Sequence, residues 1–379
     1  SNIEEYNILI RERTIDMKIK PDQNAVTMIQ ELSDAKAPSG FEDEAVAVAK
    51  KYGAEFADVE EDCLRNLYLR SKNNTGNKPV FMLDAHSDEV GLMVHSIKPN
   101  GTLRFVSLGG WSDNSLPASK VLVRNKYGKF IPGVIAAKPP HFMTPAERQN
   151  AGSTPIQSLV IDIGATSKED AVENFGIRIG EPIISDVHFS YDEEHDVMIG
   201  KGFDCRIGCA ALLETMRRLS DENLNVDLVG VLSTQEELGE RGVKVAVGKV
   251  APQIALCFEG CPADDTFTEP YAIQTALKKG PMLRFMDKSI VCSPRYQRYV
   301  LDLAEEKGLA VQSSVREGGG NNGAIINTSL DGIPVIVVGV PVRYIHSHYG
   351  ITSYYDFEAT VQLATEVVRS MTEEIIRSF

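Results

Sequence analysis

The chain has 379 residues, long for one hydrophobic core, and its 43% hydrophobic and 24% charged residues are the balance of a soluble globular enzyme. Its 53 acidic and 39 basic residues give a net charge of −14, which argues against a nucleic-acid or anionic-membrane surface. No apolar stretch approaches the roughly 20 residues of a membrane helix, and the opening Ser1-Asn2-Ile3-Glu4-Glu5 lacks the basic start and apolar core of a signal peptide.

Residues 24–36 are predicted as a short helix. Ser39-Gly40-Phe41-Glu42 has the Ser-x-x-Glu pattern of a capping box before a second helix over 44–56. Loose alternation predicts a hairpin over 57–71, and Ser71-Lys72-Asn73-Asn74-Thr75-Gly76-Asn77 reads as a turn. A buried strand follows through Phe81-Met82-Leu83 and runs into Asp84-Ala85-His86-Ser87-Asp88-Glu89-Val90-Gly91. Between 92 and 196 the character changes. Short apolar runs at 104–108, 121–124, 130–137 and 159–163 are cut by Gly and Pro, with one helix expected over 168–175. Helix–strand alternation then resumes. The expectation is therefore a β-rich module, 92–196, inserted into an α/β domain formed by 1–91 and 197–379.

In that second part, 202–219 reads as a loop and amphipathic helix, and 226–232 as a buried strand ending at Thr234-Gln235-Glu236-Glu237. A strand over 254–258 ends at Glu259, a helix covers 296–306, and a final strand over 333–340 runs through Pro341 toward His346. The last helix is expected to carry Phe357, Val361, Ala364, Val368, Met371 and Ile375 on one face. The fold class is α/β, a mixed central sheet with helices on both faces plus the small β-rich insertion.

Four apolar strands thus end in metal-type ligands: His86 with Asp88, Glu236 with Glu237, Glu259, and His346. Asp204 sits at a loop-to-helix junction. Each of these has an ordinary explanation alone, such as a capping acid, a helix-start glutamate or a surface histidine. Their joint occurrence at strand ends is better explained by convergence on one sheet edge. Carboxylates and imidazoles are the ligand set for zinc, cobalt or manganese. Asp204, Glu237 and Glu259 contribute three negative charges, which two divalent ions and one bridging hydroxide would balance. Glu236, left free beside Glu237, is then placed to take a water proton and pass it to a leaving amine. The six cysteines form no Cys-x-x-Cys pair and read as reduced thiols of a cytoplasmic protein.

The segments His86-Ser87-Asp88-Glu89-Val90-Gly91, Asp204-Cys205-Arg206-Ile207-Gly208, Gln235-Glu236-Glu237-Leu238-Gly239 and Tyr344-Ile345-His346-Ser347 come in the order and spacing of the tetrahedral aminopeptidases. The chain resembles this glutamyl/deblocking aminopeptidase family along nearly its whole length, including Pro38-Ser39-Gly40-Phe41-Glu42. The resemblance implies one metal held by His86, Asp204 and Glu259, and a second by Asp204, Glu237 and His346, with Asp204 bridging. It implies Glu236 as general base and Asp88 as the carboxylate that orients His86. It also implies a zinc-peptidase-like fold with an inserted PDZ-like dimerisation domain, short peptide substrates and a dodecamer. Three positions depart from the family pattern: Glu259 in place of Asp, Cys205 in place of Asp or Asn, and the loop Gly318-Gly319-Gly320-Asn321-Asn322-Gly323. Gly319, Gly320, Asn321 and Asn322 are expected beside the substrate. Lys278, Lys279 and Arg284 could favour an acidic side chain but read more simply as a solvated turn. His95, His141, His188 and His195 read as structural or surface residues, with His348 a minor alternative ligand. The function expected is an aminopeptidase using two divalent metals. A related deacylase or carboxypeptidase, or a catalytically silent scaffold, are its rivals.

Overall fold

The computed structural model describes residues 19–149 and 154–379. The expectations for the first 18 residues, including the start of the first domain, lie outside the described residues. Strands β1 (Ala57–Glu61), β2 (Leu67–Ser71) and β3 (Val80–His86) open the fold. Six short strands follow: β4 (Gly91–Ile97), β5 (Leu103–Leu108), β6 (Lys120–Arg124), β7 (Phe130–Ala136), β8 (Val160–Asp162) and β9 (Pro182–Ser185). Then come β10 (Ser190–Asp192), β11 (Val197–Gly200), β12 (Asp227–Ser233), β13 (Ile254–Pro262), β14 (Met282–Met286), β15 (Gln312–Val315), β16 (Val335–Val342) and β17 (Gly350–Thr352).

The central sheet has eight strands in the order β1-β2-β12-β3-β13-β16-β14-β15. Its middle is parallel: β3 pairs with β12 and β13, and β13 with β16. Strands buried on both faces read as continuous apolar runs, and every residue of β12 and β16 is buried. Successive side chains alternate faces, so Phe81 and Leu83 join one core and Met82 the other. Helices Gln23–Asp34, Phe203–Leu219 and Tyr354–Ser370 cover the first face, and Arg241–Val250 the second. The mixed α/β architecture read from the sequence is the one observed. Strands β4 to β9 close into a barrel in the order β4-β5-β8-β7-β6-β9, around its own core of Leu92, Val94, Leu103, Phe105, Val121 and Ile135.

Three local expectations need correction. Ser39 and Glu42 form no capping box: the helix begins at Asp43 with no side-chain cap from Glu42. Ser39 instead donates to Asp88, and Glu42 accepts from the backbones of Gly40 and Gln235. A buried carboxylate without donors is costly, so the tertiary partners win over the local cap. Strand β13 does not stop at Phe258. It runs through Glu259 to Pro262, because β16 pairs alongside it up to Val342. The last helix ends at Ser370, with Met371 extended. Ile375 therefore belongs to a separate short helix, Glu373–Arg377.

Candidate metal centre

The parallel strands send their C-terminal ends to one edge of the sheet, where α/β folds gather ligands. His86 is the last residue of β3, and Glu259 lies late in β13. Glu236 and Glu237 follow β12 by a few residues, and His346 lies on the connection from β16 to β17. Asp204 comes from the start of the helix Phe203–Leu219, where its backbone is non-helical at φ −81, ψ 102. This irregular turn packs tightly against β13: a Cβ at Gly260 would lie 2.2 Å from the Phe203 carbonyl oxygen, so only glycine fits there. The turn is braced from behind by Arg206. Its guanidinium does not pair with Asp204 but donates to the carbonyls of Leu32, Ala37 and Ser87 and meets Glu89 at 3.3 Å.

Asp204 is the shared centre. Its Oδ1 lies 3.1 Å from His86 Nε2, and its Oδ2 lies 3.3 Å from His346 Nε2. His86 Nε2 is also 3.6 Å from Glu259 Oε2 and 3.7 Å from Glu236 Oε2. His346 Nε2 is 3.3 Å from Glu237 Oε2. The five residues expected as ligands, and Glu236, therefore come together. Donor atoms of His86, Asp204 and Glu237 lie within 4.8 Å of one another, as do those of His86, Cys205 and Glu259.

Asp88, fully buried, organises this cluster without entering it. One oxygen lies 3.3 Å from His86 Nδ1. The backbone N–H groups of Glu236 and Glu237 donate to its Oδ1 and Oδ2 at 3.0 and 3.1 Å, and the Ser39 hydroxyl donates at 2.6 Å. Burial acts to raise the Asp88 carboxyl, but the hydrogen bond and charge of His86, then the Ser39 hydroxyl and the Glu236 N–H, hold it below its usual range.

The remaining groups are strongly perturbed. Burial, then the neighbouring carboxylates Glu259, Glu237 and Asp204, push Glu236 well above the ordinary carboxyl range, against the pull of His86. Burial likewise pushes Glu259 up to about 7. For His346, burial acts to lower the value, but the hydrogen bonds and charges of Asp204 and Glu237 outweigh it and raise it to about 11. Glu237 Oε1 and Glu259 Oε1 are buried with no hydrogen-bond partner among the described residues. Buried carboxylate oxygens left unpaired beside two imidazoles are a donor set suited to divalent cations.

Beside the cluster opens a cavity of about 470 Å³. Its lining includes Glu236, Glu237, Glu240 and Glu259, the arginines Arg284 and Arg316, and Gly318, Gly319 and Gly320. Asn321 and Asn322, expected beside the substrate, do not line this cavity. Both are buried: Asn321 donates to Asp287 at 2.7 Å, and Asn322 to Asp84 and Ser233, each at 2.8 Å. Buried carboxylates at Asp84 and Asp287 need donors, and the two amides supply them.

Of the expected basic turn, Arg284 reaches the cavity, whereas Lys278 Nζ donates to the His195 carbonyl. His95, His141, His188 and His195 are exposed. His348 belongs to neither donor group; its Nδ1 lies 2.6 Å from Ser185 Oγ. Ser39 was read as a helix cap, not as a site residue, and Arg316 and Glu240 were not singled out in the sequence. Ser39 carried a signal, since it stands in one of the motif segments, and Glu240 lies on the same connection as Glu236 and Glu237, but Arg316 reaches the cavity only through the order of strands in the sheet.

A family model described as M42 glutamyl aminopeptidase matches residues 66–363. The glutamyl aminopeptidase of Lactococcus lactis is 32% identical over 350 residues, covering 91% of this chain and 96% of the relative. The crystal structure of a TET aminopeptidase from a marine sediment archaeon of the Thaumarchaeota has a TM-score of 0.90 at 34% identity, covering 94% of this chain and 99% of that one. The Pyrococcus horikoshii TET1 peptidase, which can assemble into a tetrahedron or a large octahedral shell, has a TM-score of 0.82 at 28% identity, covering 92% of this chain and 100% of that one. Motifs, fold and relatives agree, and the chain belongs to the M42 glutamyl aminopeptidase family.

Proposed function

We propose that this protein is a cytoplasmic aminopeptidase that binds two divalent cations, zinc or cobalt first and manganese as an alternative, and removes N-terminal residues from short peptides. The observation that carries the reading is the convergence of His86, Asp204, Glu237, Glu259 and His346 around Asp204, with Glu236 alongside. The orphaned oxygens of Glu237 and Glu259 support the cation fit. His86, Asp204 and Glu259 would hold one ion, and Asp204, Glu237 and His346 the other. Bound there, the two ions would polarise the scissile carbonyl and lower the pKa of water.

The chain's own residues do the rest. Asp88 fixes the His86 ring and, through two backbone N–H groups, the placement of Glu236 and Glu237. Glu236 takes the proton from the attacking water as the C–O bond forms. It returns that proton to the departing amine as the C–N bond breaks. A carboxyl raised by burial and by neighbouring acids is suited to carrying a proton in both directions.

Arg284 and Arg316 on the cavity wall favour an acidic N-terminal side chain. The name of the L. lactis relative agrees with that preference. We further take residues 92–196 as the inserted dimerisation domain of a catalytic unit formed by 1–91 and 197–379, and a dodecamer as the assembly. The P. horikoshii relative's closed shells support the assembly.

The test is Glu236→Gln. It should keep two bound cations yet lose about 100- to 10,000-fold in turnover of aminoacyl-nitroanilides. Parental turnover by this variant would refute the assignment of the base.

A further inference from the structure

The connection that carries His346 is held from the barrel side. Residues 343–349 form no strand or helix, and His346 itself has a left-handed backbone at φ 53. Within the connection, Ser347 Oγ donates to the Tyr349 carbonyl, and its ends are tied by the backbone pair Arg343–Ile351. Neither contact fixes the imidazole of His346.

Three barrel contacts do bear on it. His348, two residues on and only 5% exposed, sets its Nδ1 2.6 Å from the hydroxyl of Ser185, the last residue of β9. The His348 ring packs against Trp111 at 4.9 Å between centroids. Trp111 is anchored in turn by donating its Nε1–H to the Gly91 carbonyl at 3.0 Å. The same barrel segment also presses on the site directly. A Cβ at Gly110 would lie 3.2 Å from His346 Nδ1, and one at Gly109 would lie 3.1 Å from Glu237 Cβ. Gly109 and Gly110 therefore lie close against both residues of one expected ligand pair, so a larger side chain at either would push on them.

From this juxtaposition we propose that Ser185, His348 and Trp111 are positioning residues through which the barrel sets the His346 imidazole beside Asp204 and Glu237. This rests on the metallopeptidase reading above. The barrel is then a working part of the site, and the ion shared by Asp204, Glu237 and His346 depends on it. The ion held by His86 and Glu259 does not.

The experiment strips the full-length protein of metal and titrates zinc back in competition with a chromophoric chelator. The parental protein should take up two ions per subunit. Ser185→Ala should leave one of the two affinities unchanged and weaken the other by about 10-fold, the low end of the range for losing a direct partner of a metal ligand, because Ser185 reaches His346 only through His348. Ser185→Thr, which retains the hydroxyl, should restore the parental titration. Gly110→Ala perturbs the same imidazole directly and should weaken the same ion, with the metal-free melting temperature of each variant near that of the parent. Two parental affinities in both Ser185→Ala and Gly110→Ala would overturn the proposal. Equal weakening of both ions would overturn it as well. Fewer than two ions in the parental protein would instead bring down the two-cation reading on which it rests.

Discussion

The Ser39 hydroxyl donates to the Asp88 carboxylate at 2.6 Å, beneath the metal-type cluster and out of contact with solvent. This bond joins the loop before the second helix to the residue that holds His86, Glu236 and Glu237 together. Ser39→Ala leaves one carboxylate oxygen a donor short. Stability should fall by about 1–3 kcal/mol. Metal affinity should fall with it, because His86 and both glutamates lose part of their support. Urea unfolding and chelator competition on the same preparation measure the two effects.

Glu42 gives a pH signature. It is almost fully buried and accepts from the backbones of Gly40 and Gln235. Burial, reinforced by the charge of Asp88, raises its carboxyl from the ordinary 4.5 to about 7. The native state therefore binds this proton more tightly than the unfolded chain. The resulting contribution to stability is full below about pH 4.5 and is lost as pH rises through about 7. Glu42→Gln has no proton to lose. From about pH 4.5 to about pH 8, the parent should lose up to about 3 kcal/mol relative to this variant. Urea unfolding of both proteins across that range checks it, and parallel pH curves would contradict it.

The arginines on the cavity wall predict a change of selectivity. Arg316 donates to the Pro262 carbonyl and to Thr275 Oγ1 and lies 3.5 Å from Asp264, whose carboxylate keeps the backbone N–H groups of Gln274 and Thr275 as donors when the arginine is lost. A hydrogen bond to a charged group is worth about 1.5–3 kcal/mol. Arg316→Met should therefore lower kcat/KM for glutamyl and aspartyl substrates by about 10- to 100-fold and change leucyl substrates little. Equal losses on all three would assign Arg316 to structure alone.

Asn322 makes the opposite case. Its amide donates to Asp84 and Ser233, away from the cavity. Asn322→Ala should cost about 2–3 kcal/mol of stability, because a buried carboxylate loses a donor. The KM of the surviving enzyme should remain close to parental. A large rise in KM with unchanged stability would return Asn322 to the substrate-contacting role read from its place in the glycine loop.

The central strands and the order of site residues were legible because strands buried on both faces must be apolar throughout, as β12 and β16 are. A polar residue just past such a run stands out. The length of β13 was not legible, because Gly260 and Pro262 read as strand enders until β16 supplies a partner alongside them. Ser39 followed a helix-cap pattern that a buried tertiary acceptor overrode. Arg316 approaches the cavity because β15 lies beside β14, and β14 beside β16, an order of pairing that a single chain does not announce. His348 was weighed as a possible ligand; its partner Ser185 is 163 residues away, so their contact left no local trace.

The account depends on Asp204 standing between two cations. A crystal of the zinc-loaded protein, with anomalous differences collected at the zinc edge, tests this directly. The account predicts two peaks per subunit, both against Asp204, one beside His86 and Glu259 and the other beside His346 and Glu237. A single peak, or two peaks of which either lies away from Asp204, would contradict it.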